Sequence, residues 1–547
     1  MTALVSARGL RVAYDQSRYA VKGVSFDLEP GACVALVGES GSGKSTVARS
    51  LLGVAGRTAS VEAEALTVAG ADVRGLDDRG WRRIRGRRVG LVLQDALVSL
   101  DPLRRVGAEV AEAVREAGTV RGRRAVRERV LDLLRTAGID DPDRRARQYA
   151  HELSGGLRQR ALIATALAGD PQVLIADEPT TALDVAVQRQ VLDLLAGLKR
   201  RGIAVLLVSH DLGVVADIAD RILVLSDGEV VEEGTAQEVL EHPRHAYTRR
   251  LLAAAPRFDQ TAEPEPEPDE TAEPPAGAPI LEARRLSVSF RSAGEDEPIA
   301  ALDDVSVGLV QGEVLGVVGE SGSGKSTLLR SILAIQRVDD GEVLFEGQPW
   351  SSLPEPERRS RRPLMQIVAQ DPLSAFDPRY RVRDVLAEPL QAASVPVSQR
   401  GERIRGLLAD VGLPEEVLAR RPLDLSGGQR QRVAIARALA AEPRVLLCDE
   451  AVSALDVLIQ DQILALLERI RVQRRVSIVF VSHDLAVVRR ISDRIVVMRH
   501  GRVLEQGPAR RIWARPEHAY TRELIAHARG VDGAARGVRA DDAGEAR

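Results

Sequence analysis

The sequence of 547 residues has little of what several common protein classes require. It has two cysteines, Cys33 and Cys448, which lie far apart in apolar runs, so neither a disulfide framework nor a cysteine-rich metal site can be built from them. Aromatic residues make up 3%, too few for a platform that stacks nucleic-acid bases. The net charge of −3 provides no global basic field for DNA or RNA. We therefore expect no nucleic-acid partner.

Long apolar runs are also missing. No stretch approaches the roughly 18 apolar residues that a membrane-spanning helix needs, and the N-terminus lacks the apolar core of a signal peptide. The histidine pair His242 and His245 flanks a proline, which is more typical of a surface turn than of a metal site. We expect a soluble chain of the cytoplasm that reaches a membrane only through partner proteins.

Lysine is the rarest charged residue. The 76 basic residues include only four lysines, which are Lys22, Lys44, Lys199 and Lys325. Lys44 and Lys325 each lie in the nine-residue stretch GESGSGKST, which occurs twice. A compact ammonium group is not interchangeable with a planar guanidinium in a narrow phosphate cradle. The lysines at these two positions therefore indicate phosphate binding.

Each GESGSGKST stretch follows an apolar strand pattern, precedes a helical pattern and fits the phosphate-loop consensus G-x-x-x-x-G-K-[ST]. In such loops the glycines let backbone N–H groups close around the phosphates, the lysine neutralises the outer phosphates and the following serine binds Mg²⁺. The first predicted loop consists of Gly38, Glu39, Ser40, Gly41, Ser42, Gly43, Lys44, Ser45 and Thr46. The second consists of Gly319, Glu320, Ser321, Gly322, Ser323, Gly324, Lys325, Ser326 and Thr327.

Other motifs recur in the same order at a nearly constant offset of about 275 residues, which indicates two copies of one domain. Short apolar runs such as CVALVG and QVLIAD alternate with helical patterns, which predicts an α/β fold with a parallel sheet in each copy. A proline- and acid-rich segment without apolar periodicity separates the copies. We expect a first domain at 1–258, a linker at 259–279, a second domain at 280–530 and a disordered tail at 531–547.

Two apolar runs end in an Asp-Glu pair, Asp177-Glu178 and Asp449-Glu450. The carboxyl end of a parallel strand lies at the edge of the sheet where the phosphate loop is found. Asp177 and Asp449 suit the Mg²⁺ shell, and Glu178 and Glu450 suit a base that polarises the attacking water. Many buried strands end in acidic residues, so the pattern predicts catalysis only in combination with the loops.

The motif LSGG stands at residues 153–156 and 425–428, each time before a helical pattern. A Ser-Gly-Gly start leaves backbone N–H groups that can bind an anion. For one isolated copy an ordinary helix cap would be the better interpretation. Two copies in a chain that already has two phosphate loops raise the question of which phosphate they bind.

The ordered set GESGSGKST, Gln94, LSGG, ADEPTTALD and VSHD, with its counterpart in the second half, resembles the nucleotide-binding domains of ABC transporters motif for motif. The resemblance covers residues 4–255 and 281–528. It implies two tandem P-loop NTPase domains of the ABC type. Each would have an N-terminal β subdomain and a helical insert, roughly at residues 102–152 and 372–424. The implied cofactors are ATP and Mg²⁺, and the implied activity is ATP hydrolysis coupled to transport.

In that family each nucleotide lies between the phosphate loop of one domain and the LSGG helix end of the other. The resemblance therefore implies that Ser154, Gly155 and Gly156 contact the nucleotide held by Lys325. It likewise implies that Ser426, Gly427 and Gly428 contact the nucleotide held by Lys44. The sequence departs mildly from the family pattern at Leu157, where LSGGQ has glutamine, and at Ala451, where DEP has proline.

The remaining site residues also come from the resemblance. Gln94 and Gln370 resemble the family's Mg²⁺- and water-sensing glutamines, and His210 and His483 resemble its γ-phosphate switch histidine. The implied Mg²⁺ ligands are Ser45, Gln94 and Asp177 in the first half and Ser326, Gln370 and Asp449 in the second. Tyr14 and Phe290 lie where the family stacks an aromatic ring on adenine, with Tyr19 as an alternative to Tyr14.

Within the family, QDPLSAFDPRYRV and the two HAYTR tails are similar to oligopeptide, dipeptide and nickel importer ATPases. The resemblance implies an energy-coupling subunit whose halves close on ATP binding and reopen on hydrolysis. It would act peripherally at the cytoplasmic face of the cell membrane, with two integral-membrane permeases, docked by the helical inserts, and an extracytoplasmic solute-binding protein. Some relatives carry a four-cysteine iron–sulfur site, but this chain lacks those cysteines and no cluster is expected. Two alternatives are a soluble tandem ATPase acting on ribosomes or DNA, and the ATPase of a peptide or drug exporter.

Overall fold

The computed structural model describes residues 3–15, 18–56, 58–93, 99–180, 183, 185–255, 277–290, 298–453 and 455–526. The chain divides into two compact units, the first holding the residues up to Ala255 and the second most of those that follow. We call them the first and second halves. In the described ranges no helix is both long and apolar enough to cross a membrane. Residues 259–276 of the predicted linker, the predicted tail 531–547 and Gln94 lie outside the description, and Pro279 already begins a strand.

A six-stranded core sheet organises the described part of the first half. Five strands are parallel, and an antiparallel strand lies at one edge. The strand order is Glu229–Thr235, Arg221–Ser226, Cys33–Val37, Ala204–Val208, Val173–Asp177 and Val89–Val92. Central strands of such a sheet are covered on both faces, which is why they read as continuous apolar runs.

The strand Cys33–Val37 shows how the two faces are filled. Val34 and Leu36 pack into one apolar cluster, together with the N-terminal strands and the helix after the phosphate loop. Cys33, Ala35 and Val37 pack into the cluster on the opposite face, together with the helical insert. Each fully buried aliphatic side chain contributes about 1.5–3 kcal/mol. The strand that leads into the phosphate loop is therefore fixed from both sides.

A smaller antiparallel sheet precedes the core sheet in the first half. Its strand order is Arg18–Leu28, Val5–Asp15, Ala65–Val68 and Ala71–Asp72, and Ser60–Glu62 also pairs with Val5–Asp15. This sheet is the N-terminal β subdomain that the resemblance implied.

The helices of the first half include the predicted insert. Within it, Val106–Ala117, Arg123–Thr136 and Pro142–Arg145 are α-helices and Ala150–Glu152 is a 3₁₀ turn. The other helices are Lys44–Ser50, Asp78–Arg82, Gly155–Ala166, Val185–Arg200, Leu212–Ile218, Ala236–Glu241 and Ala246–Ala254.

The second half repeats this architecture. Its core sheet has the order Met365–Val368, Val445–Asp449, Ser477–Val481, Val314–Val318, Arg494–Arg499 and Arg502–Pro508. Its N-terminal sheet has the order Ile299–Val310, Pro279–Phe290, Asp340–Phe345 and Gln348–Pro349. The equivalent strands occupy equivalent places in both halves.

The second helical insert lies where it was expected. It contains the α-helices Val382–Ala392 and Val397–Asp410 and the 3₁₀ turns Pro372–Ala375, Glu415–Ala419 and Pro422–Asp424. The remaining helices are Lys325–Ile332, Glu355–Arg358, Gly427–Leu439, Val457–Arg474, Leu485–Ile491, Ala509–Ala514 and residues 519–526, with a 3₁₀ turn at Arg362–Leu364. The predicted fold class, two tandem α/β domains with β subdomains and helical inserts, is confirmed.

The two cysteines take no part in any site. Cys33 and Cys448 are fully buried in central strands, and burial raises the pKa of each thiol to about 12. Both thiols therefore remain protonated, as expected for cysteines that serve as small apolar side chains.

Candidate active site

Each predicted phosphate loop connects a central strand to a helix. The first runs from Cys33–Val37 to Lys44–Ser50. Gly43 has φ 101°, and a Cβ atom there would lie 2.6 Å from the carbonyl oxygen of Ala20. Gly324 repeats this with φ 102° and 2.5 Å to the carbonyl oxygen of Ala301. Only glycine fits both the left-handed backbone and the close approach, which explains the glycine before each lysine.

Each loop folds around its lysine. Lys44 Nζ donates to the carbonyl oxygens of Gly38 at 2.7 Å and Glu39 at 2.8 Å. Lys325 Nζ donates to those of Gly319 at 2.7 Å and Glu320 at 2.9 Å. Burial lowers the pKa of Lys44, and the negative charge of the Glu178 carboxylate opposes that shift. The ammonium group is thus held inside the loop that carries it.

The serine after each lysine meets the aspartate predicted for Mg²⁺. Ser45 Oγ donates to Asp177 Oδ1 at 2.9 Å, and Ser326 Oγ donates to Asp449 Oδ1 at 3.3 Å. Burial raises the pKa of both aspartates, and the hydrogen bond from the serine opposes the shift. A hydroxyl beside a buried carboxylate offers the oxygen ligands that Mg²⁺ prefers, and a cation there would stabilise the ionised carboxylate. The residues present therefore fit a Mg²⁺ ion.

Another serine in each loop has an unsatisfied hydroxyl. Ser42 and Ser323 are 5% and 3% exposed, and their Oγ atoms have no hydrogen-bond partner within the described residues. Buried hydroxyls are normally paired because leaving one unpaired costs about 1–3 kcal/mol. An orphaned donor in the same position of both loops is consistent with a ligand that accepts a hydrogen bond there.

The glutamate after each aspartate has an unusual backbone. Glu178 has φ 49° and Glu450 has φ 46°, in the left-handed region that non-glycine residues rarely adopt. The Glu178 N–H still donates to the carbonyl of Val208 at 2.9 Å, so this glutamate turns out of the strand while remaining tied to the sheet. Such local strain persists only where surrounding contacts enforce it, and it is concentrated at functional sites.

The turn brings each glutamate to the predicted histidine. Glu178 Oε1 lies 3.2 Å from His210 Nδ1, and Glu450 Oε2 lies 3.4 Å from His483 Nδ1. In the second half the predicted glutamine joins them, because Gln370 Nε2 donates to Glu450 Oε2 at 2.9 Å. The first-half counterpart, Gln94, lies outside the described residues.

These contacts set the charge state of the pair. Burial alone would lower the pKa of His210 and His483, but the hydrogen bond and charge of the partner glutamate outweigh it and raise both values. Burial would raise the pKa of Glu450, but the hydrogen bond from His483 and the positive charges of His483 and Lys325 together outweigh it and lower that value. Glu450 is therefore held as a carboxylate, the form that a general base requires.

The LSGG motifs begin helices, as expected. Ser154 caps Gly155–Ala166 and accepts a hydrogen bond from the N–H of Leu157 at 3.4 Å. Ser426 caps Gly427–Leu439 and accepts one from Gln429 at 3.3 Å, while Gln429 Oε1 accepts one from the Ser426 N–H at 3.1 Å. The second half thus has a reciprocal capping box, which Leu157 cannot form in the first.

The two glycines of each LSGG differ in surroundings. The first, Gly155 or Gly427, is exposed, whereas the second, Gly156 or Gly428, is buried. A Cβ atom on Gly156 would lie 2.2 Å from Val187 Cγ1, and one on Gly428 would lie 2.5 Å from Ile459 Cγ2. The buried glycine is therefore required by helix packing whatever ligand the exposed one meets.

The predicted adenine-stacking aromatics are exposed. Tyr14 is 41% exposed, and its hydroxyl lies 3.4 Å from Thr46 Oγ1, at the end of the first loop. Phe290 and the alternative Tyr19 are 46% and 43% exposed. The hydroxyl contact places Tyr14 beside the loop, where a base attached to the bound phosphates could reach its ring.

Sequence reasoning missed two features of the structure around the site. Asp211 and Asp484, the last residues of VSHD, cap the following helices by accepting two backbone N–H bonds each. An acidic residue just before a helical pattern could have revealed this. The other feature, Tyr247 and Tyr520, contacts the phosphate loops from the far end of each half, and no local pattern predicts it.

The geometry defines a class. Each half has the parts of a P-loop nucleotide hydrolase. These parts are a strand–loop–helix with a buried lysine, a serine–aspartate pair at the strand end and a glutamate–histidine pair beside it. The model of the ABC transporter family matches residues 21–181 and 302–453. The chain belongs to the ABC transporter family, as an ATP-hydrolysing subunit that couples energy to transport.

Curated relatives match nearly the whole chain. It is 41% identical over 543 residues to the peptidoglycan transport ATP-binding protein YejF of Agrobacterium fabrum, covering 97% of each. It is 39% identical over 594 residues to the oligopeptide transport ATP-binding protein OppD of Mycobacterium tuberculosis, covering 95% of this chain and 96% of the relative. It is 40% identical over 557 residues to the glutathione import ATP-binding protein GsiA of Escherichia coli, covering 96% and 89%. The model of the oligopeptide/dipeptide transporter C-terminal region matches residues 231–280.

Proposed function

We propose that this ATPase drives the import of peptides or related small solutes. The ATP hydrolysis that would drive this import rests on the same cluster of lysine, serine, aspartate, glutamate and histidine in both halves. The observation that carries peptide import is the C-terminal region that matches oligopeptide/dipeptide transporters. It is supported by the relatives, which are named as ATP-binding proteins for the transport of peptidoglycan, oligopeptides or glutathione.

Each cluster assigns roles to its residues. Lys44 and Lys325 neutralise the outer phosphates of ATP, and the loop N–H groups bind its oxygens. Glu178 and Glu450 orient the attacking water and accept its proton. His210 and His483 are held through Nδ1 by these glutamates, which leaves Nε2 as the group that contacts the γ-phosphate in this proposal. Tyr14 and Phe290 stack on the adenine.

In this proposal Mg²⁺ would be held by Ser45 and Asp177 in the first half and by Ser326 and Asp449 in the second, with Gln94 and Gln370 as the further oxygen ligands. When bound, Mg²⁺ supplies positive charge to the phosphate oxygens. In this proposal the residues of the two LSGG motifs contact the nucleotide, as the sequence resemblance implies. They are Ser154, Gly155, Gly156, Ser426, Gly427 and Gly428.

The transport machinery consists of this chain, two integral-membrane permeases and an extracytoplasmic solute-binding protein, with the chain at the cytoplasmic face of the cell membrane. ATP hydrolysis drives transport only if ATP binds one conformation of the assembly better than another. A second candidate, an exporter of peptides or drugs, uses the same ATPase cluster. A tandem ATPase acting on ribosomes or DNA would also use this cluster, but the net charge of −3 and the relatives favour transport.

Uptake of radiolabelled di- and oligopeptides, glutathione and Ni²⁺ by a strain that lacks the chain tests the substrate. Loss of peptide uptake, restored by the wild-type chain and not by the Glu178→Gln, Glu450→Gln double variant, is the expected result. Normal uptake of all these solutes would refute the import proposal. Purification provides a second criterion: two polytopic membrane proteins should accompany the chain, whereas sedimentation with ribosomes or DNA would exclude the importer.

A further inference from the structure

The C-terminal part of each half reaches back to the phosphate loop. Tyr247 Oη accepts a hydrogen bond from the backbone N–H of Glu39 at 2.9 Å. Tyr520 Oη accepts one from the N–H of Glu320 at 3.2 Å. Glu39 and Glu320 are the second residues of the two GESGSGKST loops. The same long-range contact therefore occurs twice in one chain.

The hydroxyl and the loop lysine hold the same peptide group. The carbonyl of the Gly38–Glu39 peptide accepts from Lys44 Nζ at 2.7 Å, and its N–H donates to Tyr247. In the second half the Gly319–Glu320 peptide lies in the same way between Lys325 Nζ, at 2.7 Å, and Tyr520. This peptide is where the chain leaves the central strand to form the loop, so its orientation controls how the loop begins.

The first tyrosine is itself firmly placed. Tyr247 is 5% exposed, and its N–H donates to His245 Nδ1 at 3.2 Å. The Glu232 carboxylate accepts the N–H groups of Arg244 at 2.7 Å and His245 at 3.0 Å. Glu232 lies on the edge strand Glu229–Thr235, whose neighbour in the sheet pairs with the strand that leads into the loop. The tyrosine is thus anchored to the sheet that carries the phosphate loop.

The second half repeats the anchor. Tyr520 is 2% exposed, and its N–H donates to His518 Nδ1 at 3.1 Å. Glu505, on the edge strand Arg502–Pro508, accepts the N–H groups of Glu517 at 2.9 Å and His518 at 3.0 Å. Burial raises the pKa of Tyr247 and Tyr520 to about 12, so both hydroxyls are neutral at physiological pH. A neutral hydroxyl oxygen can accept the backbone N–H without placing a charge beside the loop.

We propose that Tyr247 and Tyr520 are positioning residues for nucleotide binding, which hold the entry peptide of each loop, and with it the loop lysine, in the geometry that receives the phosphates. The inference rests on the proposed binding of ATP at the two loops. It also gives the C-terminal segments a role at the nucleotide sites, including the segment that matches the peptide-transporter C-terminal region.

The test removes only the hydroxyls. Tyr247→Phe, Tyr520→Phe and the double variant keep the buried rings, while Tyr380→Phe, on a 38% exposed residue of the helical insert, is the matched control. Calorimetric titration of the full-length chain measures the affinity for ATP and ADP. Steady-state hydrolysis separates KM from kcat, and hydrogen exchange follows the Glu39 and Glu320 amides.

A positioning role weakens ground-state and transition-state binding equally, so KM should rise while kcat stays constant. The double variant loses one neutral hydrogen bond at each phosphate loop, which predicts about three- to tenfold weaker binding of ATP and ADP at each site. Each single variant should speed amide exchange only in the loop of its own half. The Tyr380→Phe chain should match the wild type in every measurement.

Wild-type nucleotide affinity in the double variant would overturn the inference. So would unchanged exchange of both loop amides, or a lower melting temperature with fewer active molecules at an unchanged KM, which is the signature of a merely structural role. Failure of the proposed function is distinct, because the wild type itself would then not bind ATP. The amide exchange still reports the tyrosine contact in that case.

Discussion

Alanine substitutions at the two glycines of the first LSGG motif can distinguish a role in helix packing from a role in ligand binding. A Cβ on Gly156 would lie 2.2 Å from Val187 Cγ1, on the helix Val185–Arg200. A Cβ on the preceding Gly155 would find its nearest atom, Leu183 Cδ2, at 3.7 Å, an ordinary van der Waals distance. Gly156→Ala therefore forces the two helices apart or pushes Val187 aside, whereas Gly155→Ala is sterically free and serves as the matched control.

The magnitudes follow from these distances. Overpacking a close helix contact costs about 1–3 kcal/mol, which is the loss expected for Gly156→Ala. Gly155→Ala should be neutral or stabilising by up to about 1 kcal/mol, because alanine is the better helix former. Val187→Ala alone should cost about 1–2 kcal/mol for its two lost methyl groups. In the double variant the alanine at 156 gains room, so the two losses should fall short of additivity by about 1 kcal/mol or more.

Urea unfolding, monitored by peptide-resolved hydrogen exchange, gives the unfolding free energy of the first half separately from that of the second. ATP hydrolysis is measured on the same samples. Equal stability of the Gly156→Ala chain and the wild type, or strict additivity with Val187→Ala, would refute the steric reasoning. If Gly155→Ala keeps full stability but loses turnover, the exposed glycine acts on the nucleotide and the buried one on packing.

Three further outcomes are expected. Changing Glu178 and Glu450 together to glutamine should leave ATP bound but slow phosphate release at least about 100-fold; hydrolysis near the wild-type rate would contradict the assignment of the base. Leu157→Gln should slow exchange of the Ser154 amide, and Gln429→Leu should speed exchange of the Ser426 amide, because the glutamine of a capping box accepts the N–H of the capping serine; unchanged exchange at both serines would rule the box out. Burial alone would raise the pKa of Glu505 above its ordinary 4.5, but hydrogen bonds from the backbone N–H groups of Glu517 and His518, with the charge of Arg511, lower it. The stabilisation by this carboxylate is therefore complete above pH 4.5 and is lost as the pH falls through the lowered value. Glu505→Gln should therefore lower the melting temperature at pH 7 and make the melting temperature fall less as the pH is lowered; an unchanged pH dependence would show that this carboxylate does not contribute to the loss of stability in acid.

Much of the candidate site could be predicted because its parts are local. The GESGSGKST loops are contiguous, and their glycine positions are dictated by the backbone of a single turn. The pairing of Ser45 with Asp177 spans 132 residues, yet it follows from a general rule, since parallel strands bring their carboxyl ends to the same edge. The α/β fold and its inserts were equally predictable, because buried strands and amphipathic helices have different apolar patterns.

Other features depend on packing that no local pattern encodes. Tyr247 lies 208 residues from Glu39 along the chain, and nothing in HAYTR points to a phosphate loop. The left-handed backbone of Glu178 and the lack of room at Gly156 are likewise set by neighbouring elements. The motifs identified Gly156 and Glu178 as site residues. They assigned Gly156 to the ligand alone, however, and gave no reason for the left-handed backbone that orients Glu178.

Two copies in one chain distinguish constrained contacts from incidental ones. The halves differ at Leu157 and Gln429, and only the second half forms the capping box. By contrast, the lysine-bound entry peptide with its tyrosine, the serine–aspartate pair and the left-handed glutamate beside its histidine recur in both halves. A contact that arose from local sequence alone would vary with that sequence, as the capping box does. The tyrosine contact recurs together with the serine–aspartate and glutamate–histidine contacts, as the proposed positioning role predicts, whereas the capping box at the start of the LSGG helix forms in one half and not in the other.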